Sequence, residues 1–513
     1  MNGNDKMKTI EPCILRQGVS LKHYPDVLVL CDEDIDLTIE IDLGDCGGSG
    51  PQVFTGDPLR LSVNPESPCA SEVVDILKRA ALAEEGLSPR EIRRRQSIFQ
   101  LLQLMDFVLS EVPYYQSRSA YASVPVTSVE DLQAFPILTR ADLRANLLEL
   151  IPRDLRLSHS AGAEGLTLLS TSGSTDERLQ ALAGNEVATV PEAYARVWTG
   201  TEATAPVKTA ILTTPRCSGT VCHLGQASFE ERIADNTLSL NSSEDFFSID
   251  RRYVEQAAEE LHRFAPEILL VNPVYLHWFA RKAREMDIPL PSVKWLTYSY
   301  QYCSQLQKRA LEAMFRVPLL SWYACTEAAA VVGQECLQGR LHVRAEQCLV
   351  ETIRNGVLAQ PGELGALLIT TTAARTTPLI RYQIGDVGSL VDEPCGCLLN
   401  GCPCLTLHGR AKDMLCGLDR WITTRQFDVA ISDTSDLDFY ACTQTDAETL
   451  RLEVIPALGQ EATFDRTGLA HKLSCRLGFA KVDVRVVTRL DPIPSSLKYA
   501  QTCCAYRQAP AFP

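Results

Sequence analysis

The chain has 513 residues, 45% of them hydrophobic, and its 64 acidic against 49 basic side chains give a formal net charge of −15. That length carries about three or four domain-sized units, or one large enzyme with a small appended domain, and a negative charge with no basic stripe excludes a general nucleic-acid binder. No apolar run reaches the length of a membrane span, and the polar start, Met1 to Ile10, lacks the apolar core of a signal peptide. The 19 cysteines are scattered, so they read as reduced thiols or metal ligands of a cytoplasmic protein rather than as a disulfide framework.

Residues 1–75 read as an extension with β character, from Val27-Leu28-Val29-Leu30 and the alternation Ile35, Leu37, Ile39, Ile41. From Pro89 the pattern turns helical, with Ile92, Phe99, Leu102, Met105 and Leu109 at helical spacing, and it ends at Val112-Pro113-Tyr114-Tyr115. Thr127-Ser128-Val129-Glu130 predicts a capped helix start, and Thr139-Arg140-Ala141-Asp142 a loose capping box with Asp in place of Glu. An apolar run, Leu166 to Leu169, then stops at Ser170-Thr171-Ser172-Gly173-Ser174-Thr175.

Beyond that loop, apolar runs at Ala210–Thr213, Ile268–Val271, Val293–Thr297 and Leu319–Trp322 alternate with helical patterns at Tyr253–Phe264, Tyr275–Glu285 and Ser304–Phe315. This is the signature of an α/β domain with parallel strands. After Leu341 strands dominate, Leu364–Thr371 being the longest. From Gly409 a last segment, with a strand at Val482–Val487 and a helix at Gly468–Leu477, predicts a small α+β domain.

Five hydroxyls around Gly173 offer many donors to phosphate oxygens and a backbone that can approach them closely, and successive N–H groups in such a turn can form an anion nest. Composition alone reads equally as a surface Ser/Thr linker. Four later stretches decide between the two: Trp322-Tyr323-Ala324-Cys325-Thr326-Glu327, Pro378 to Asp386, His408-Gly409-Arg410-Ala411-Lys412-Asp413, and Pro492 to Lys498. Taken singly, Glu327 reads as a helix N-terminal acid, Asp386 as a turn residue, and Arg410 and Lys498 as solvated charges.

In this order the five stretches resemble the adenylate-forming superfamily of acyl-CoA synthetases, adenylation domains and luciferases. Pro113-Tyr114-Tyr115, Phe135-Pro136-Ile137-Leu138-Thr139 and the Pro378–Asp386 run are similar to its phenylacetate–CoA ligase-like branch. The resemblance runs from about Pro89 to the C-terminus. It implies a large domain over residues 76–411 with parallel and mixed sheets, and a small mobile α+β lid over 412–513 hinged at Lys412.

It also implies ATP-dependent activation of a small, aromatic carboxylic acid as an acyl-adenylate, with coenzyme A as the acceptor. An amine or a carrier protein is the alternative acceptor, and a zinc-stabilised binding protein without turnover is the alternative class. Thr171, Ser172, Gly173, Ser174 and Thr175 would hold the β- and γ-phosphates and Thr326 the α-phosphate. Glu327 would hold Mg²⁺, Tyr323, Asp386 and Arg410 would form the nucleotide site, and Lys498 would bridge the carboxylate and the α-phosphate. Tyr298, Tyr300 and His223 are expected near the acid. A homodimer is compatible with the sequence.

Two departures stand out. The loop continues with Asp176, Arg178 and Leu179 where the family has glycine, proline and lysine, and Leu497 replaces the glycine before Lys498. Cys395-Gly-Cys397 and Cys402-Pro-Cys404 could ligate zinc. By resemblance the preferred zinc set is Cys217, His223, Cys395 and Cys397, with buried free thiols as the plain alternative.

Overall fold

The computed structural model describes residues 19–23, 27–32, 37–42, 89–122, 126, 128–157, 167–170, 180–184, 198, 207–213, 227–234, 236–240, 245–418, 420–494 and 496–506. Contacts divide the chain into two units, Met1–Gln96 and Ser97–Pro513. In the first, the alternating apolar residues make an antiparallel meander of β1 (Val19–His23), β2 (Val27–Asp32) and β3 (Leu37–Asp42).

Helix α1 (Pro89–Glu111) forms where the periodicity predicts, but its inward face differs. Leu101, Leu104, Met105 and Val108 are buried while Leu102 is 43% exposed. The spacing 101, 104, 105, 108 keeps one face of a 3.6-residue helix, and the stripe drawn through Leu102 strays off it. Helix α2 (Arg140–Ala145) opens with the Thr139/Asp142 capping box fully formed, aspartate included. Thr139 hydrogen bonds hold the Asp142 carboxyl below the usual carboxylate range.

The apolar run before the hydroxyl-rich loop is β4 (Thr167–Ser170). It pairs antiparallel with β5 (Gln180–Ala183), so the loop joins the two strands of a hairpin. Thr377 Oγ1 donates to the Leu182 carbonyl at 3.0 Å and ties this hairpin down. Residues 171–179 themselves, with Asp176, Arg178 and Leu179, lie outside the described residues.

Among the described residues a 13-stranded mixed sheet is the scaffold. Its parallel half contains β6 (Thr209–Leu212), β7 (Ile233–Ala234), β8 (Thr237–Ser239), β9 (Ile268–Val271), β10 (Trp295–Tyr298) and β11 (Leu319–Cys325). β6, β9, β10 and β11 run parallel, and only the short edge strand β7 reverses against β8. The linking helices are α3 (Arg251–Phe264), α4 (Pro273–Glu285) and α5 (Gln305–Phe315). Each starts at a side-chain cap, Asp250, Asn272 or Ser304, which satisfies N–H groups that the helix cannot.

From β11 the sheet turns antiparallel through β12 (Ala330–Glu335), β13 (Leu341–Val343), β14 (Cys348–Arg354), β15 (Val357–Leu358), β16 (Gly365–Thr371), β17 (Tyr382–Val391) and β18 (Cys404–Arg410). A ribbon of β19 (Leu415–Cys416) and β20 (Trp421–Ile422) follows. Then come helix α6 (Thr424–Ile431), the strands β21 (Leu437–Gln444) and β22 (Thr449–Pro456), helix α7 (Arg466–Leu477), and the strands β23 (Lys481–Val486) and β24 (Thr502–Cys504). The four strands form a sheet of order β23-β22-β21-β24. It does not stand apart: Phe439, Ile455, Leu490 and Tyr499 join the apolar cluster of α4, with Phe439 stacked on His277 at 4.3 Å between centroids.

The stretches around Tyr115, Leu138 and Arg381 meet in space. Tyr115 is fully buried; its hydroxyl donates to the Pro378 carbonyl at 2.9 Å and accepts the Ile380 N–H at 3.1 Å. Leu138 forms a parallel bridge to Tyr382. Arg381, in left-handed backbone at φ +51°, buries its guanidinium against Glu351 and the Phe135 carbonyl. One packed joint thus ties these segments to the strand that carries Asp386.

Candidate active site

The carboxyl ends of β10 and β11, where open parallel sheets place ligands, border a cleft of about 1370 Å³. Thr326 and Glu327 follow β11 directly, and β17 and β18 bring in Asp386 and Arg410 as a cross-strand pair. Bulges at Tyr323/Ala324 and Val387/Gly388 re-aim the neighbouring side chains, as bulges beside sites do. Tyr323, Thr326, Glu327, Asp386, Arg410, Lys412 and Lys498 all line the cleft.

Asp386 is held from both sides. The Tyr323 hydroxyl donates to Oδ2 at 2.5 Å and Arg410 Nε to Oδ1 at 2.8 Å. Burial first, then the Asp386 carboxylate, pushes the Tyr323 phenol well above its ordinary pKa, so it donates and does not ionise. Asp386 raises that of Arg410. Gly409, at φ +100°, lets β18 pass close to Thr424: a β-carbon there would sit 2.7 Å from Thr424 Oγ1.

Glu327 accepts from Arg140 at 3.2 Å and from the Tyr382 hydroxyl at 3.3 Å. Neither partner was singled out for the site from sequence. Arg140 carried a signal: a cation in the first turn opposes the helix dipole, so its place there asks for another partner. Beyond the cleft's centre, burial lowers the pKa of Lys412, with Asp413 opposing the shift. Tyr298, Tyr300 and Tyr302 form an aromatic stretch of the wall. Tyr300 takes φ +75°, the kind of backbone strain that clusters at binding sites.

A second cluster lies between β12–β13 and the loop from β17 to β18. One ligand atom each from Cys336, His342, Cys395 and Cys397 lies within 4.8 Å of the others. Cys336 Sγ is 3.7 Å from Cys395 Sγ, and Cys397 Sγ is 3.4 Å from His342 Nε2. Zinc–ligand lengths set tetrahedral edges of about 3.8 Å for S···S and about 3.6 Å for S···N, so the donor set fits that ion. His342 Nδ1 faces the Cys402 carbonyl at 3.3 Å, which leaves Nε2 as the free lone pair. Cys217 and His223 lie outside the described residues; among those described, Cys336 and His342 complete the set.

No family model matches the chain. A phenylacetate–coenzyme A ligase of Thermus thermophilus is 23% identical over 347 residues, which is 64% of this chain and 72% of that protein. The protein CapK of Staphylococcus aureus is 24% identical over 180 residues, 35% of this chain and 39% of its own length. A crystal structure of 2-hydroxyisobutyryl-CoA ligase, in the postadenylation state with an acyl-AMP, superposes with a TM-score of 0.61. It is 16% identical and covers 77% of this chain and 86% of that one. The chain has the adenylate-forming fold. Within that fold the described cleft lies where the strand ends and the final segment meet, and among the described residues no helix is long and apolar enough to cross a membrane.

Proposed function

We propose that the protein activates a small carboxylic acid with ATP, forming an acyl-adenylate and pyrophosphate, and then passes the acyl group to the thiol of coenzyme A. The observation that carries this reading is the convergence of Glu327, the Tyr323–Asp386–Arg410 triad and Lys498 on one cleft. In the first step a carboxylate oxygen attacks the α-phosphorus and the bond to pyrophosphate breaks. Attack of one anion on another needs charge neutralisation and in-line placement above all.

Each residue answers one of those needs. Lys498 neutralises the carboxylate and the α-phosphate as a compact cation, and Thr326 donates to the α-phosphate. Asp386 accepts the ribose hydroxyls, pre-oriented by Tyr323 and Arg410. Glu327, with its carboxylate steadied by Arg140 and Tyr382, is the residue that would hold Mg²⁺, whose role is to neutralise phosphate charge. Thr171 to Thr175 would grip the outer phosphates. The tyrosines at 298, 300 and 302 favour an aromatic acid, the substrate class of the phenylacetate–CoA ligase-like branch. Lys412 is the hinge about which residues 412–513 would turn between the two steps.

Cys336, His342, Cys395 and Cys397 would hold a structural zinc ion. It would staple the loop between the strands that carry Asp386 and Arg410, and so support the nucleotide site from behind.

Pyrophosphate release with a panel of aryl and short-chain acids, for wild type and Lys498→Ala, tests the reading. A preferred acid, with at least a hundredfold loss in Lys498→Ala, is expected. No acid-dependent pyrophosphate from the wild type, together with no ATP binding, refutes it. Coenzyme A, amines and carrier protein added to the same assay separate the acceptors.

A further inference from the structure

Leu497, the departure immediately before Lys498, adopts φ +56°. A β-carbon disfavours this left-handed region, which glycine enters freely. Held this way by a leucine, the loop needs support from outside, and α4 provides it. The Tyr275 hydroxyl donates to the Leu497 carbonyl at 2.7 Å. Tyr275 is fully buried, its ring stacked on Phe246 at 4.3 Å between centroids and 8° between planes, so packing outside the loop orients the donor.

On the far side of Lys498, Gln301 brackets Tyr499. Its Oε1 accepts the Tyr499 N–H at 3.3 Å and its Nε2 donates to the Tyr499 carbonyl at 3.4 Å. Asn272 Nδ2 donates to that same Oε1 at 3.0 Å, and Asn272 is itself anchored as the cap of α4, accepting the Val274 N–H at 3.0 Å. Inside the loop, the Leu497 N–H reaches the Ile493 carbonyl and the Ile493 N–H reaches the Lys498 carbonyl, both at 2.8 Å. Lys498 is thus suspended between two points fixed to the carboxyl ends of β9 and β10.

We propose that Tyr275, with Gln301 and Asn272 on the other side of the loop, is a positioning residue for Lys498: its phenol clamps the Leu497 carbonyl and supplies the hold that the strained leucine backbone lacks. The proposal rests on the acid-activation reading of Lys498. Tyr275→Phe keeps the ring stack and removes the donor. Acid-dependent pyrophosphate release should then lose about five- to tenfold in kcat, the worth of one hydrogen bond, with the KM for ATP changed less than twofold.

Adding Leu497→Gly to that variant should restore kcat to within twofold of wild type, because glycine holds the left-handed backbone unaided. A purely structural role for Tyr275 would not be rescued this way. Full activity in Tyr275→Phe, or failure of the glycine to restore it while both variants melt like wild type, overturns the clamp. Hydrogen exchange at the Leu497 amide reads the clamp without catalysis: at least fivefold faster exchange in Tyr275→Phe is expected, and unchanged exchange refutes it. If the wild type releases no pyrophosphate with any acid, the functional reading fails and the exchange result alone judges the clamp.

Discussion

Tyr323→Phe isolates the nucleotide site. The substitution keeps the ring and deletes a hydroxyl whose 2.5 Å bond to Asp386 is shared with a carboxylate, the class of hydrogen bond worth about 1.5–3 kcal/mol. Arg410 Nε still holds the other carboxylate oxygen at 2.8 Å, so the carboxylate keeps one anchor and loses part of its orientation. If Asp386 reads the ribose, ATP and AMP affinities should each fall about tenfold to a hundredfold, while tripolyphosphate, which has no ribose, should bind within twofold of wild type. Calorimetric titration of the three ligands checks this. Repeating it with 2′,3′-dideoxy-ATP closes a double-mutant cycle: the wild type should lose affinity for the dideoxy nucleotide and the variant should lose little more. Equal ATP affinity in wild type and variant, or an equal loss for tripolyphosphate, refutes the assignment of Asp386 to the ribose.

Gly409→Ala should destabilise the protein by about 2 kcal/mol or more, since the new methyl meets Thr424 Oγ1 at 2.7 Å at a φ of +100°; denaturant titration measures it, and a neutral result would show that Thr424 moves aside freely. Metal analysis of the purified protein should find one zinc per chain, lost in Cys395→Ser together with thermal stability, because a structural zinc contributes folding energy directly; zinc-free wild-type protein of full stability would exclude the site. His277 is pushed down to about 3 by burial first and then by Arg281 and Arg284. It stays neutral in the folded chain while the unfolded chain takes up its proton near pH 6.5, so the stability present above that pH drains as pH falls toward 3, by up to about 1.4 kcal/mol per pH unit. His277→Leu should flatten the acid limb of the stability curve between pH 6 and 4.5 by that slope, and an unchanged limb would mean that other groups set it.

Much of the scaffold was legible because it is written locally. The runs at Ile268–Val271 and Leu319–Trp322 became β9 and part of β11, the helical pattern at Ser304–Phe315 became α5, and the alternation of strand and helix forced the parallel half of the sheet. The motif residues named from the sequence also come together. Tyr323, Glu327, Asp386, Arg410 and Lys498 come from four separate stretches and line one cleft.

What sequence order could not supply is partnership across long separations. Arg140 reads as a helix-start residue until Glu327 stands 3.2 Å away. Cys336 and His342 carry no zinc spacing until β12 and β13 fold them against the Cys395 loop. Leu497 reads as a lost glycine until its φ and the Tyr275 hydroxyl explain how a leucine can stand there. The sequence by itself determined the elements, the order of the motifs and the chemistry each side chain can offer, since periodicity and capping act over a few residues. Only the tertiary structure decided which groups meet, because a hydrogen bond or a ligand set depends on ångström distances between strands that lie far apart along the chain.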